Sequence, residues 1–328
     1  MRILVTGGLG FLGQHLVRHL LREQPDARLT VIDNLSSSRI EYSWLHGLAE
    51  IVVDDFAALP AGRRFDRIYH LASPVGSLGI LAMSGHVARA IVGLAVRAGE
   101  WAAASGASLL YVSSSEVYGK GGEQVESDEL SVAVQTGTRM EYSLGKLTGE
   151  HLLRNMAARH GFRLTVARPF NALGAHQSSR IGFVVPTFFE HAIAGQPLPL
   201  FHGGRQVRCF CHVDDLVRGL IAIQEHGVDG QTYNVGHPGN ATSIRDLAAK
   251  IRKLCQSSSA LECVDPVERF GRGYLEASAK SPSIQKLHAD TGWRPAIDLD
   301  SALRQVHRGY LTSGVSAHAC RADRVAEA

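Results

Sequence analysis

Tyr142 and Lys146 stand four residues apart in a helical stretch that opens on Thr138-x-x-Glu141, a spacing suited to a capping box. Both side chains therefore leave one face of the helix. An ammonium close to a phenol lowers the phenol pKa from ~10 toward neutrality, and the phenolate can then take a proton from a substrate hydroxyl. Ser114 lies in the run Ser113-Ser114-Ser115-Glu116-Val117-Tyr118-Gly119, at the end of a predicted strand, and offers a hydroxyl to the same substrate group. Ser115 and Glu116 share that strand end. A Tyr-x-x-x-Lys spacing alone is common on solvated helix edges. Joined to Ser114, it becomes a set for moving a proton on and off an alcohol.

The second constellation is a turn. Ile3-Leu4-Val5 is a short apolar run of the buried-strand kind, followed by Gly7, Gly10 and Gly13 and at once by the helical pattern Phe11, Leu12, Leu16, Val17, Leu20, Leu21. A glycine-rich turn between strand and helix sets backbone N–H groups and a positive helix end against a pyrophosphate. The next strand, Leu29-Thr30-Val31-Ile32, ends in Asp33, twenty residues after Gly13. A carboxylate there accepts both hydroxyls of an adenosine ribose and repels a 2′-phosphate, which favours NAD over NADP. The polar loop from Asn34 through Ser36 to Ser38 suits the adenosine.

Strands expected at 50–53, 67–72, 108–112 and 163–167 alternate with helices, including an Ala/Val/Leu-rich one over 86–105. Near-continuous apolar strands in this alternation predict an α/β fold with a doubly wound parallel sheet of Rossmann type, its ligands at the strand C-termini. Beyond Asn171 short elements and prolines predict a second, smaller mixed α/β lobe. The expected division is 1–170 for the dinucleotide-binding domain, with 209–236 returning to it. Residues 171–208 and 237–311 form the lobe, and 312–328 a disordered tail. The polar stretch 256–282 reads as a mobile loop over a cleft, and 298–310 as a last amphipathic helix. The apolar 86–105 helix, buried on two sides, predicts a homodimer.

A net charge of +3 over 328 residues, with scattered Lys and Arg, excludes a nucleic-acid or anionic-membrane surface. Five cysteines without a C-x-x-C pair indicate a reduced, cytoplasmic setting. No apolar run reaches about 18 residues, and the first strand begins at once, so neither a membrane span nor a signal peptide is expected. His15 and His19 sit opposite the Leu12/Leu16/Leu20 stripe, which predicts a solvated face and no metal site.

The chain resembles the extended short-chain dehydrogenase/reductase family, the NAD-dependent sugar-nucleotide epimerases, dehydratases and decarboxylases. The likeness runs through His70-Leu71-Ala72-Ser73-Pro74, Ser113 to Gly119, Arg139 to Lys146, Arg168-Pro169-Phe170-Asn171, Gly203 to Arg208, and Gly273-Tyr274 ahead of Ser281-Pro282. Within the family it is most similar to the UDP-glucuronic acid decarboxylases. The resemblance implies NAD held by Gly7, Gly10, Phe11, Leu12, Gly13, Asp33, Asn34, Ser36, Asp55 (or Asp54), Leu71, Ala72 and Ser73, with Tyr142 and Lys146 at the nicotinamide end. It implies Tyr142 as base, Lys146 as its tuner, and Ser114, Ser115 and Glu116 beside the sugar. Asn171, Arg208 and Tyr274 would hold the nucleotide diphosphate of a UDP-sugar. Lys280 stands where these decarboxylases carry an arginine for the sugar carboxylate, and lacks that residue's fork. Three outcomes of a shared C4 oxidation remain open: decarboxylation of UDP-glucuronate, 4-epimerisation and 4,6-dehydration. Ser115, where dehydratases carry an acid, lowers the last. An NAD-binding regulator on a retired scaffold would be expected to have lost part of Ser114/Tyr142/Lys146.

Overall fold

The computed structural model describes residues 1–36, 42–54, 62–119, 121–127, 130, 137–267 and 277–312. Asp55, Tyr274 and the expected tail beyond 312 lie outside them. Seven parallel strands form the large sheet: β1 (Arg2–Thr6), β2 (Arg28–Asp33), β3 (Glu50–Val53), β4 (Arg67–His70), β5 (Ser108–Val112), β7 (Leu164–Pro169) and β12 (Thr232–Val235). Their order, β12-β7-β5-β4-β1-β2-β3, reverses direction between β1 and β4, where a doubly wound sheet opens a crevice at its strand C-termini.

Side-chain alternation explains how the sheet is covered. Ile3 and Val5 enter one core with Leu16 and Leu20 of α1 (Phe11–Glu23) and Leu216 and Leu220 of α6 (Val213–His226). Leu4, between them, enters the other with Ala95 and Ala98 of α3 (Val87–Ser105) and Leu153 of α4 (Thr138–His160). Period two on the strand meets period 3.6 on the helices, and each fully buried Leu or Ile contributes roughly 1.5–3 kcal/mol. The short α2 (Ser77–Ala82) precedes α3 and brings Ile80 against Tyr142. α6 and β12, from the 209–236 stretch, pack into the large sheet.

A four-stranded mixed sheet has the order β13 (Ala241–Ser243), β10 (Val207–Cys209), β15 (Ala279–Pro282), β6 (Gly122–Gln124). Two strand pairs accompany it: β8 (Ala172–Leu173) with β11 (Cys211–His212), and β9 (Leu198–Phe201) with β14 (Leu261–Val264). A third core gathers Phe188 of α5 (Val184–Ile193), Leu247 of α7 (Ile244–Leu254) and Leu303 of α9 (Leu299–Thr312). α8 (Gln285–Thr291) packs on β12. The 256–282 stretch is therefore not one mobile loop: β14 and β15 lie within it, and their partner strands supply the backbone bonds that its polar composition concealed.

Two local expectations fail. Gly137, not Thr138, is the N-cap of α4, and no side chain caps it. Glu141 instead accepts from Gly85 N–H (2.8 Å) and Ala88 N–H (3.2 Å), so its carboxylate caps the neighbouring α3. His15 and His19 are not on a solvated face. They meet Asp214 of α6, with His15 Nδ1 3.1 Å and His19 Nε2 3.8 Å from its carboxylate. Helix α6 covers what sequence periodicity alone showed as the polar side of α1. The bond from His15, then that from His19, holds Asp214 well below the usual carboxylate range. Among the described residues, no group of three or more His, Cys, Asp or Glu is arranged to hold a metal ion. No described helix is long and apolar enough to cross a membrane.

His70 ties β4 to β1. Its Nδ1 lies 2.7 Å from Thr6 Oγ1, its ring stacks on Tyr111 at 5.7 Å, and burial drives its pKa down to about 3. Unfolded, the imidazole takes a proton near 6.5, whereas folded it stays neutral. Its contribution to stability is thus whole above about pH 6.5 and lost as pH falls toward the folded value. Denaturant midpoints should decline between about pH 7 and pH 4, and His70→Asn should flatten that decline. An equal decline in the variant would place the acid sensitivity elsewhere.

Candidate active site

The glycine-rich turn shows why its residues are small. Gly7 has φ +68°, and a Cβ there would stand 2.7 Å from the Ala72 N. A Cβ on Gly13 would meet the Gly7 carbonyl at 2.1 Å. The first places the turn flush against Leu71 and Ala72 after β4; the second sets α1 directly on the turn. Gly10 is the N-cap of α1, with no side chain capping that end, and Phe11 and Leu12 form the first turn. Asp33 closes the pocket from β2. It accepts from Leu9 N–H (3.0 Å) and Gly10 N–H (3.1 Å) on one oxygen and from Leu35 N–H (2.8 Å) on the other. Burial raises its pKa and those three N–H groups oppose the rise. Asn34 folds the following loop by accepting from Ser36 N–H at 3.1 Å. Asp54 donates its N–H to the Asp33 carbonyl, 3.1 Å away. Ser73, half-buried, donates to the Pro74 carbonyl. A close-set backbone cradle, an uncapped helix end and a carboxylate at the end of β2 fit a dinucleotide.

The chemical set is carried by α4 and the end of β5. Gly145 and Gly149 allow the approach: a Cβ on Gly145 would lie 2.9 Å from Ala88 Cα, and one on Gly149 2.5 Å from the Tyr111 hydroxyl. The Tyr142 phenol lies beside the Ser114 side chain, which acts to lower its pKa. Lys146 donates from Nζ to the Val112 carbonyl (2.8 Å), with its ammonium 5.9 Å from the Tyr142 ring centre. Ser114 also caps the short 3-10 helix Ser115–Tyr118, accepting from Glu116 N–H. Ser115, inside that turn, is buried.

The expected tuning of the phenol is not what the chain by itself displays. Burial pushes Tyr142 up to about 12, Ser114 working against it and the Glu116 charge with it. Lys146 is driven down to about 7 by burial, with Glu150 opposing. Both groups lose water, and desolvation disfavours the charged form of each.

A second charge centre lies beside the first. Arg208 and Lys280 are register partners on β10 and β15 and therefore share a face of the small sheet. Both are buried. Lys280 Nζ reaches Glu116 Oε1 at 2.6 Å, and Arg139, one turn before Tyr142, brings Nε to Glu116 Oε2 at 3.3 Å. Burial alone would raise the Glu116 pKa, but Arg139 and Lys280, with Arg208 beyond, hold it down to about 2. Burial lowers Lys280, and Arg139 and Arg208 add to this against the pull of Glu116. Three cations around one carboxylate make an anion-seeking site. Asn171, half-buried between β7 and β8, accepts from Cys211 N–H through its carbonyl. Arg139 belongs to the Arg139-to-Lys146 run, and the sequence alone attaches no role to it. Its signal was its place three residues before Tyr142, one turn back on the same helix.

Fold and site together define a dinucleotide-dependent enzyme of the short-chain dehydrogenase/reductase type. The chain belongs to the NAD dependent epimerase/dehydratase family, whose model matches residues 3–236. UDP-glucuronic acid decarboxylase 3 of Arabidopsis thaliana is 32% identical over 314 residues, spanning 92% of this chain and 87% of that protein. UDP-N-acetyl-alpha-D-glucosaminuronate decarboxylase of Bacillus cytotoxicus is 27% identical, spanning 93% and 96%. Among solved structures, the UDP-glucuronic acid 4-epimerase from Bacillus cereus, in complex with UDP-glucuronic acid and NAD, superposes with a TM-score of 0.81. It is 22% identical, and the match covers 95% of this chain and all (100%) of that one. The cofactor is NAD.

The Glu116 pair should show in acid. Its depressed pKa gives stability that is present above the unfolded value, near 4.3, and is lost as pH falls toward about 2. The stability advantage of the wild type over Glu116→Gln should hold at neutral pH and shrink below about pH 4.5. A pH-independent difference would show that the carboxylate acts by packing alone.

Proposed function

We propose that the chain decarboxylates a UDP-uronate, UDP-glucuronate or a near relative, to a UDP-pentose through transient oxidation at C4. The observation that carries this reading is the Arg139/Arg208/Lys280 cluster, set around Glu116 beside Ser114 and Tyr142. Of these, Arg139 and Lys280 reach Glu116 and can hold a sugar carboxylate next to the carbon being oxidised. The names of the two relatives, both decarboxylases of UDP-linked uronates, support it.

Bound NAD would accept a hydride from the sugar carbon and return it, and its positive ring would favour the phenolate. The chain's own residues then divide the remaining work. Tyr142 takes the C4 hydroxyl proton on its phenol oxygen, and Ser114 orients that hydroxyl. Lys146 supplies positive charge to the phenolate. Once C4 is a ketone, the C5 carboxylate is β to it. The C5–C6 bond can break with its electron pair held as an enolate, releasing CO2. Lys280 and Arg139 orient the carboxylate so that this bond stands perpendicular to the ketone plane, and Ser115 and the ionised Glu116 would position a water whose proton returns to C5. Arg208, as a forked and permanent cation, and Asn171 would hold the diphosphate, with Tyr274 against the nucleotide.

Incubation with UDP-glucuronate should release CO2 and give a UDP-pentose by product NMR. A C4 epimer that keeps its carboxylate would replace decarboxylation with epimerisation. Tyr142→Phe should lower turnover by about 10²–10⁴-fold while NAD stays bound. Turnover within tenfold of wild type would remove Tyr142 as the base.

A further inference from the structure

Helix α4 carries a third buried polar side chain one turn beyond Lys146, and no role has been attached to it. Tyr142, Lys146 and Glu150 are spaced four apart and project along one face. Each engages the segment leaving β5. Tyr142 lies beside Ser114, Lys146 donates to the Val112 carbonyl at 2.8 Å, and Ser113 donates its hydroxyl to Glu150 Oε1 at 2.5 Å. Two successive residues of the strand end, Val112 and Ser113, are thus held by Lys146 and Glu150, with Ser114 beside Tyr142.

Glu150 is 2% exposed. Its other partner is Arg168 on β7, which donates from Nε (3.0 Å) and Nη2 (2.7 Å) in a two-point pair. Arg168 in turn lies over the Tyr118 ring, 4.9 Å from its centre. A buried pair of this kind is dispensable for packing, since apolar side chains of the same volume are often as stable or more so. What an apolar pair would not supply is a charge beneath Lys146. The other ionisable groups facing Lys146 are Tyr142 on α4, Tyr111 on β5 and His70 on β4. Burial keeps all three uncharged near neutrality, raising both phenols and lowering the imidazole. Glu150, held in a two-point pair by the Arg168 guanidinium, is the acidic group among them.

We propose that Glu150 is a positioning residue of the catalytic set, which holds Lys146 as an ammonium and fixes the strand end that presents Ser114 to Tyr142. Burial works against that ammonium, and the Glu150 charge works for it. The inference rests on Lys146 as the tuner of Tyr142, and not on which sugar is bound.

The chain has six lysines, so each can be followed by NMR at its 13C-labelled ε-carbon in the NAD-loaded protein, with Lys146→Met for assignment. Glu150→Gln should lower the pH at which Lys146 loses its proton by about one unit, a tenfold change in the ionisation ratio. Glu150→Asp should restore it. Because the single variant strands Arg168, the decisive form is Glu150→Gln with Arg168→Met, which removes both buried charges. The same fall in the double variant supports the proposal. A double variant that titrates with the wild type overturns it and leaves Glu150 a structural clamp. Failure of uronate turnover with the titration shift intact would defeat the functional reading alone.

Discussion

The register between α4 and the end of β5 is the constraint on which the site depends. Gly145 and Gly149 bring the helix against Ala88 and Tyr111 at distances no side chain would permit. At that separation Tyr142 and Lys146 reach Ser114 and the Val112 carbonyl without leaving the helix face. A slip of one residue along α4 turns a side chain by roughly 100°, enough to carry the phenol away from the crevice. Helix packing therefore sets the chemistry.

Two carboxylates divide the electrostatics. Glu150, below the set, is matched by one cation, Arg168, in a dry two-point pair. Glu116, at the half-exposed mouth, is outnumbered by Arg139, Arg208 and Lys280. The inner pair is balanced, while the outer cluster retains an attraction for anions. Between the two lie Tyr142 and Lys146, whose loss of water opposes charge on both. Their working ionisation states must come from neighbours rather than from either group alone.

The cofactor half is governed by space more than by charge. Gly7 and Gly13 each occupy a position where a Cβ would strike backbone. Asp33 has a part beyond the expected one, since it braces the turn through two N–H groups from the end of β2. One side chain thereby couples the shape of the turn to the end of β2.

The sequence by itself determined the parallel sheet, the glycine turn with Asp33, and the Ser114/Tyr142/Lys146 set. These are legible because strand burial, turn chemistry and i, i+4 spacing are local. Helix 87–105 and the last helix were found within about two residues of their ends, the usual boundary uncertainty. Tertiary structure alone decided what faces what. It turned His15 and His19 toward Asp214 and sent Glu141 to cap another helix. It built strands into the polar 256–282 stretch and gathered Arg139, Arg208 and Lys280 from three distant segments around Glu116. A charge shows its type in the sequence, but its partner and its dielectric belong to the packed chain, and those fix its protonation.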